Sequence, residues 1–307
     1  FCIECKIKIN FILFGFSNQT KGCSCIMDYK QLKVKNILVA GHAGSGKTSL
    51  AEAMLYRTKT VDRQGRVEDG NTVSDYDGEE AKRLCSLQSS ILPYEYGDTK
   101  VNIIDVPGLF DFELGLYEGI KAAETVLIAV SAKDGVEVGT QKAFRLAEKN
   151  RKSTMIYVSK IDVEHADFYK VFEELKTQFG PQICPIVVPV ARGNETIYVN
   201  LMDFKAYQYK NGVAEEVVMP ATGHRLDGLV TAINEAVAET SEELMEKYFS
   251  GEPLTKAEIV QGIKSGVKDG TITPVVCGVA TKLEAIDMVL DVINDLAPTP
   301  QDTEGTK

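Results

Sequence analysis

Three short runs hold residue types whose spacing can do chemistry. Gly41, His42, Ala43, Gly44, Ser45, Gly46, Lys47 and Thr48 fit the pattern Gly-x-x-x-x-Gly-Lys-Thr. The glycines let successive backbone amides wrap an anion, and a helix opening at Lys47 adds its positive end. Lys47 would then reach the β- and γ-phosphates of a nucleotide, and the Thr48 hydroxyl would ligate Mg²⁺. Asp105, Val106, Pro107 and Gly108 form the second run. Its aspartate can hold the water shell of that cation, and the Gly108 amide can meet the terminal phosphate. Ser159, Lys160, Ile161 and Asp162 form the third. There the Asp162 carboxylate would accept hydrogen bonds from a guanine ring while the Lys160 stem covers the base. Adenine lacks the matching donors, and an unmatched buried polar edge costs about 1–3 kcal/mol, so Asp162 selects GTP over ATP. Asparagine usually opens this third run, and Ser159 can supply only part of its bonding. Each run has a plain structural reading: a glycine turn, an Asp-x-Pro-Gly turn, a solvated Lys/Asp pair. Their order and spacing together favour a GTP-binding switch, with an ATP-dependent enzyme disfavoured by Asp162.

Such runs work only where strands and helices place them. Asn36–Ala40 is a short apolar run that leads into glycines, as a buried parallel strand does. Similar runs at 101–104, 126–130, 155–158, 186–190 and 274–277 alternate with helical patterns at 48–56, 168–179 and 285–296. The alternation predicts an α/β fold: a mostly parallel sheet with helices on both faces. Between Arg57 and Glu95 no periodicity survives, and a patternless segment of that length is functional or mobile. The composition changes after Gly180. Lys210-Asn-Gly212 is a hairpin signal, a long helix is expected over Leu229–Phe249, and Thr255 with Glu258 has capping-box spacing. Residues 28–179 and 269–298 are therefore expected to form the nucleotide domain, 180–268 an inserted α+β subdomain, and 299–307 a linker.

Composition sets the remaining bounds. A 307-residue chain with 44% hydrophobic and 25% charged residues is an ordinary globular composition. The net charge of −10 argues against broad nonspecific binding to DNA or RNA while leaving room for a local RNA contact. No apolar run approaches the roughly 18 residues of a membrane helix. The first methionine is Met27, so residues 1–27 are expected to be a non-native or disordered leader. Cys2, Cys5, Cys23 and Cys25 fall within it. Their spacing admits zinc, but the apolar stretch between them lacks turn chemistry, which favours chance. Asn18-Gln-Thr20 matches a glycosylation acceptor by accident. Cys85, Cys184 and Cys277 read as reduced cytosolic thiols, and His165 and His224 as surface residues.

From about Lys33 to Pro300 the chain resembles the GTP-binding domain of translation elongation factor G, in a divergent, elongation-factor-G-like form. Beyond the nucleotide runs the resemblance rests on Gly65–Gly70, Asp75-Tyr-Asp77, Asn102–Asp105, Phe110-Asp-Phe112, Ser241–Tyr248 and Cys277-Gly278. It implies a monomeric cytoplasmic GTPase that binds GTP or GDP with Mg²⁺ and meets large-subunit RNA and stalk proteins of the ribosome. It also implies roles the spacing alone does not give. Arg83-Leu-Cys-Ser86 stands where the family has Arg-Gly-Ile-Thr, so Ser86 is the expected switch hydroxyl on Mg²⁺ and the γ-phosphate. Leu84 replaces a glycine there, at a cost in backbone strain. Val279 and Ala280 replace a Ser-Ala pair beside the guanine, where the Ala280 amide can still serve, and Gly44 replaces an aspartate. Leu109 stands where relatives carry a histidine that aligns water on the γ-phosphate, a loss on the order of 10²–10⁴ in rate. The phosphate loop's position keeps His42 from replacing it. Lys47, Ser86, Gly108 and Leu109 are thus the expected catalytic set. Hydrolysis at the ribosome is the leading reading. A GTP-binding regulator with little turnover and a ribosome-protection role are the alternatives.

Overall fold

A computed structural model describes residues 33–192, 195–220 and 224–303. The expected leader, its four cysteines and its glycosylation match lie outside these residues. The first strand, β1 (Lys33–Gly41), runs into the phosphate loop and then helix α1 (Lys47–Arg57). A short helix α2 (Gly78–Arg83) precedes β2 (Ser90–Tyr96) and β3 (Thr99–Asp105). Next come α3 (Leu114–Ala122), β4 (Thr125–Ser131), α4 (Val138–Lys149), β5 (Ser153–Ser159), α5 (Phe168–Phe179) and β6 (Ile183–Pro185). Four strands follow: β7 (Val187–Arg192), β8 (Glu195–Asn200), β9 (Lys205–Lys210) and β10 (Val213–Val217). Helices α6 (His224–Ala238), α7 (Glu242–Phe249) and α8 (Lys256–Asp269) lead to β11 (Thr273–Cys277), α9 (Ile286–Leu296) and α10 (Pro300–Thr303).

The main sheet has the order β2-β3-β1-β4-β5-β11-β6. All its pairings are parallel except β2 with β3. Strands β4, β5 and β11 are buried along their whole length, which is why they read as continuous apolar runs. The chain leaves β1 for β3 on one side and continues to β4 on the other. That reversal opens a crevice at the carboxyl ends of the strands, where ligands bind in such sheets.

Three expectations need adjustment. The stretch 57–95 is not patternless: it holds α2 and nearly all of β2. β2 alternates buried and exposed residues, but Pro93 disguises it; a proline is tolerated because β2 is an edge strand. The helix expected over Leu229–Phe249 is two helices, broken where the Ser241 hydroxyl caps α7 by accepting from the Leu244 amide at 3.2 Å. The strand expected over 186–190 is β7, which begins the antiparallel sheet β10-β9-β8-β7, while the short strand before it, β6, was not expected and pairs with β11 in the main sheet. The main sheet thus holds the chain through Pro185, and the antiparallel sheet begins at Val187. From Lys33 onward it clusters as one compact unit.

Two local signals act as read. Asn211 and Gly212 have φ of 51° and 75°, the two-residue primed turn of a hairpin. Thr255 and Glu258 make both bonds of a capping box. One tie was not visible beforehand. Lys35, 4% exposed on β1, donates to the carbonyls of Ile293 (3.1 Å) and Asn294 (2.7 Å) at the end of α9. Burial, reinforced by Lys264, pushes its pKa down to about 8.

Candidate functional site

The phosphate loop joins β1 to α1. Gly41, Gly44 and Gly46 have φ of 141°, 76° and 89°, which residues with a side chain adopt only at a cost. Between them lie His42, Ala43 and Ser45, whose hydroxyl is buried without a partner. Lys47 closes the loop by donating to the His42 carbonyl at 2.8 Å. Burial pushes its pKa down, opposed by the carboxylates of Asp105, Asp75 and Glu137. A cleft of about 180 Å³ lies above the loop, lined among others by Gly44, Lys47, Asp75, Ser86, Leu109 and Lys160.

The end of β3 supplies Asp105, fully buried, which accepts from Thr48 Oγ1 and Ser74 Oγ at 2.8 Å each. Its second oxygen, Oδ1, is buried with no hydrogen-bond partner. Burial pushes Asp105 up to about 6, against the bonds from Ser74 and Thr48 and the charge of Lys47. Ser86 Oγ lies 3.2 Å from Thr48 Oγ1 and donates to Asp75 Oδ1 at 2.6 Å. Thr72 holds the other Asp75 oxygen at 3.1 Å. Two carboxylates and four hydroxyls therefore face one another beside Lys47. An orphaned carboxylate oxygen in such an oxygen-rich corner suits a hard cation such as Mg²⁺. Among the described residues no three His, Cys, Asp or Glu side chains are grouped to hold a metal unaided.

Val106 and Pro107 carry the chain from Asp105 to Gly108, with Val106 buried. A Cβ built on Gly108 would lie 2.2 Å from Lys47 Nζ and 2.8 Å from the Ala43 amide, so only glycine permits this approach to the loop. Leu109 is 38% exposed at the rim of the cleft, beside exposed Phe110. His42 is engaged by other side chains. Its Nε2 lies 3.3 Å from Glu137, and its ring meets Phe110 edge-on with centroids 5.8 Å apart.

The third run follows β5. Ser159 donates to the Ser45 carbonyl at 2.7 Å, a bridge to the phosphate loop. Lys160, in a left-handed conformation with φ 56°, donates to the Gly44 carbonyl at 2.7 Å. Ile161 packs against the core. Asp162 pairs with Lys282 at 2.7 Å, from the turn that follows Val279 and Ala280. Gln64 donates to the Ala280 carbonyl at 2.8 Å. The three runs and the Val279–Ala280 loop thus meet at the carboxyl edge of one sheet. His165 lies apart on the surface beside Glu164.

Sequence reasoning passed over Ser74, Asp75 and Lys282, and over two buried glutamates. Glu52 on α1 accepts from the Gly65 and Val73 amides at 3.0 and 2.6 Å. Glu80 on α2 accepts from Asp77, Leu87 and Gln88. Asp75-Tyr-Asp77 was a visible signal without a role. The glutamates gave none, since a buried carboxylate that serves loop amides looks like any surface glutamate in sequence. Leu84 takes φ 53° at the end of α2, a left-handed conformation that favours glycine.

Known proteins resemble this chain in three respects. The family described as the Elongation factor Tu GTP binding domain matches residues 32–299. A Thermotoga maritima protein described as an elongation factor G-like protein is 34% identical over 275 residues, which are 89% of this chain and 39% of that protein. A crystal structure of a protein from Thermus thermophilus superposes with a TM-score of 0.84 at 33% identity, covering 90% of this chain and 42% of the solved one. The chain spans about two-fifths of the length of either relative.

Proposed function

The chain belongs to the elongation factor Tu GTP-binding-domain family, on its elongation-factor-G-like branch, and from that premise we propose that it is a domain that binds GTP and hydrolyses it to GDP and phosphate in the cytoplasm, at the ribosome. The observation that carries this reading is the convergence of Lys47, Asp105 and Asp162 at one sheet edge, each held by its own hydrogen bonds. The Lys47 ammonium and the amides of Gly44 to Thr48 would cradle the phosphates. Thr48 and Ser86 would hold Mg²⁺ through their hydroxyls, with Asp105 and Asp75 behind them. When bound, that cation neutralises charge that develops on the transferring phosphoryl group. Gly108 offers its amide beside Lys47, where the terminal phosphate would sit. Asp162 would read the guanine edge, with the Ser159 bridge fixing the distance between the base corner and the phosphate loop.

A second reading, a GTP-binding regulator with little turnover, is favoured by Leu109. Its side chain has no donor or acceptor with which to orient water, and His42 is engaged by Glu137. Single-turnover hydrolysis of radiolabelled GTP, with and without ribosomes, separates the two. Ribosome-stimulated release of phosphate supports the enzyme. GTP binding without release, restored to hydrolysis by Leu109→His, supports the regulator. A chain that binds neither GTP nor GDP overturns both.

A further inference from the structure

The corner assigned to the base is held from outside its own motifs. After β11 the loop folds back on itself, and Val279 and Glu284 exchange backbone hydrogen bonds of 3.0 and 3.1 Å. Leu283 and Ala285, on either side of Glu284, have φ of 59° and 60°. Neither is a glycine or asparagine, and each such residue costs roughly 1 kcal/mol or more, so the surroundings must impose the turn. Fully buried Tyr198, on β8, donates its hydroxyl to the Glu284 carboxylate at 2.7 Å. The hairpin turn at Gly212 presses on Leu283: an added Cβ would lie 3.2 Å from Leu283 Cβ. Arg57 at the end of α1 fixes that hairpin by donating to the Gly212 carbonyl at 3.0 Å. From the same folded loop, Lys282 reaches Asp162 Oδ2 at 2.7 Å.

We propose that the Tyr198–Glu284 and Lys282–Asp162 pairs are the positioning contacts for guanine recognition. The first fixes the folded loop beside the base corner, and the second aims the Asp162 carboxylate at the base. A carboxylate has about four acceptor directions, so a lysine on one oxygen leaves room for the donors of guanine while holding the group in place. The antiparallel sheet thereby sets how well the parallel sheet reads its nucleotide. This inference rests on the GTP reading above and adds residues to it.

The test is competition against a fluorescent GDP on the full chain, with GDP, inosine diphosphate, ADP and inorganic pyrophosphate as competitors. Inosine diphosphate lacks the exocyclic amino group of guanine, so its ratio to GDP reports how well Asp162 is aimed. Lys282→Met is expected to shrink the GDP preference over inosine diphosphate about tenfold, and Lys282→Arg to restore it. Tyr198→Phe is expected to weaken both nucleotides about tenfold while pyrophosphate binding holds. Lys282 is half exposed, so its variants fold even if Tyr198→Phe does not. Unchanged affinities in the Lys282 variants, or an equal loss for pyrophosphate, overturn the inference. A wild-type chain that prefers GDP no more than ADP overturns the base-reading function and this inference with it.

Discussion

Leu84 shows how one side chain records a compromise. It ends α2 with φ 53° and leaves its apolar side chain 47% exposed, so it gains little packing in return for the left-handed backbone. Leu84→Gly is expected to raise the unfolding free energy by about 1 kcal/mol, read from urea midpoints; a lower midpoint would mean the leucine packs better than its exposure suggests. Asp75 lies in the cation corner with one oxygen on Ser86 and the other on Thr72. Asp75→Asn is expected to cut GDP affinity about tenfold in Mg²⁺ and to leave it unchanged in EDTA, by isothermal titration. Equal losses in both conditions would assign Asp75 to loop structure alone. Residues of the phosphate loop were legible in sequence because their chemistry needs contiguous backbone. Ser74 and Asp75 were not, because a side chain that acts through another side chain leaves no spacing to read.

At the scale of elements, the segment from Gly65 to Gln88 is ordered by carboxylates rather than by a hydrophobic face. Glu52 on α1 grips it near its start, and Glu80 on α2 grips it at Asp77, Leu87 and Gln88. Glu80→Ala strands those amides without partners. It is expected to cost about 3 kcal/mol and to speed hydrogen exchange at Leu87 and Gln88, while Glu80→Gln, keeping one acceptor oxygen, loses about half as much. Exchange at Leu87 and Gln88 that is no faster in Glu80→Ala would show that other contacts hold the loop. Hydrophobic periodicity located β1, β3, β4, β5 and β11 and also α5, whose burial follows one face. It could not find α2 or β2. The former is set by a capping box of Asp77 and Glu80, and the latter is an edge strand that contains a proline. The break between α6 and α7 was hidden by apolar residues on both sides of the Ser241 cap.

Across the whole molecule, Lys35 ties the first strand to the last long helix. In the unfolded chain its amine keeps a proton until about pH 10.5, whereas in the fold it loses it near 8. Between those values the unfolded state binds more protons, so stability rises with pH. The unfolding free energy of the wild type minus that of Lys35→Met is therefore expected to grow across pH 8 to 10.5, by at most on the order of 3 kcal/mol. A flat difference would show that the buried amine stays charged. The position of β11 has a different consequence, one of time. Its place between β5 and β6 means that β5, finished at Ser159, lacks its second neighbour until Thr273 has been made. At roughly 10 residues per second, a growing chain carries this bare apolar edge for roughly ten seconds. Chains stopped before Thr273 are expected in the insoluble fraction on expression, and a soluble truncated product would count against this view. The interval is a window of vulnerability during synthesis, written into the order of the strands.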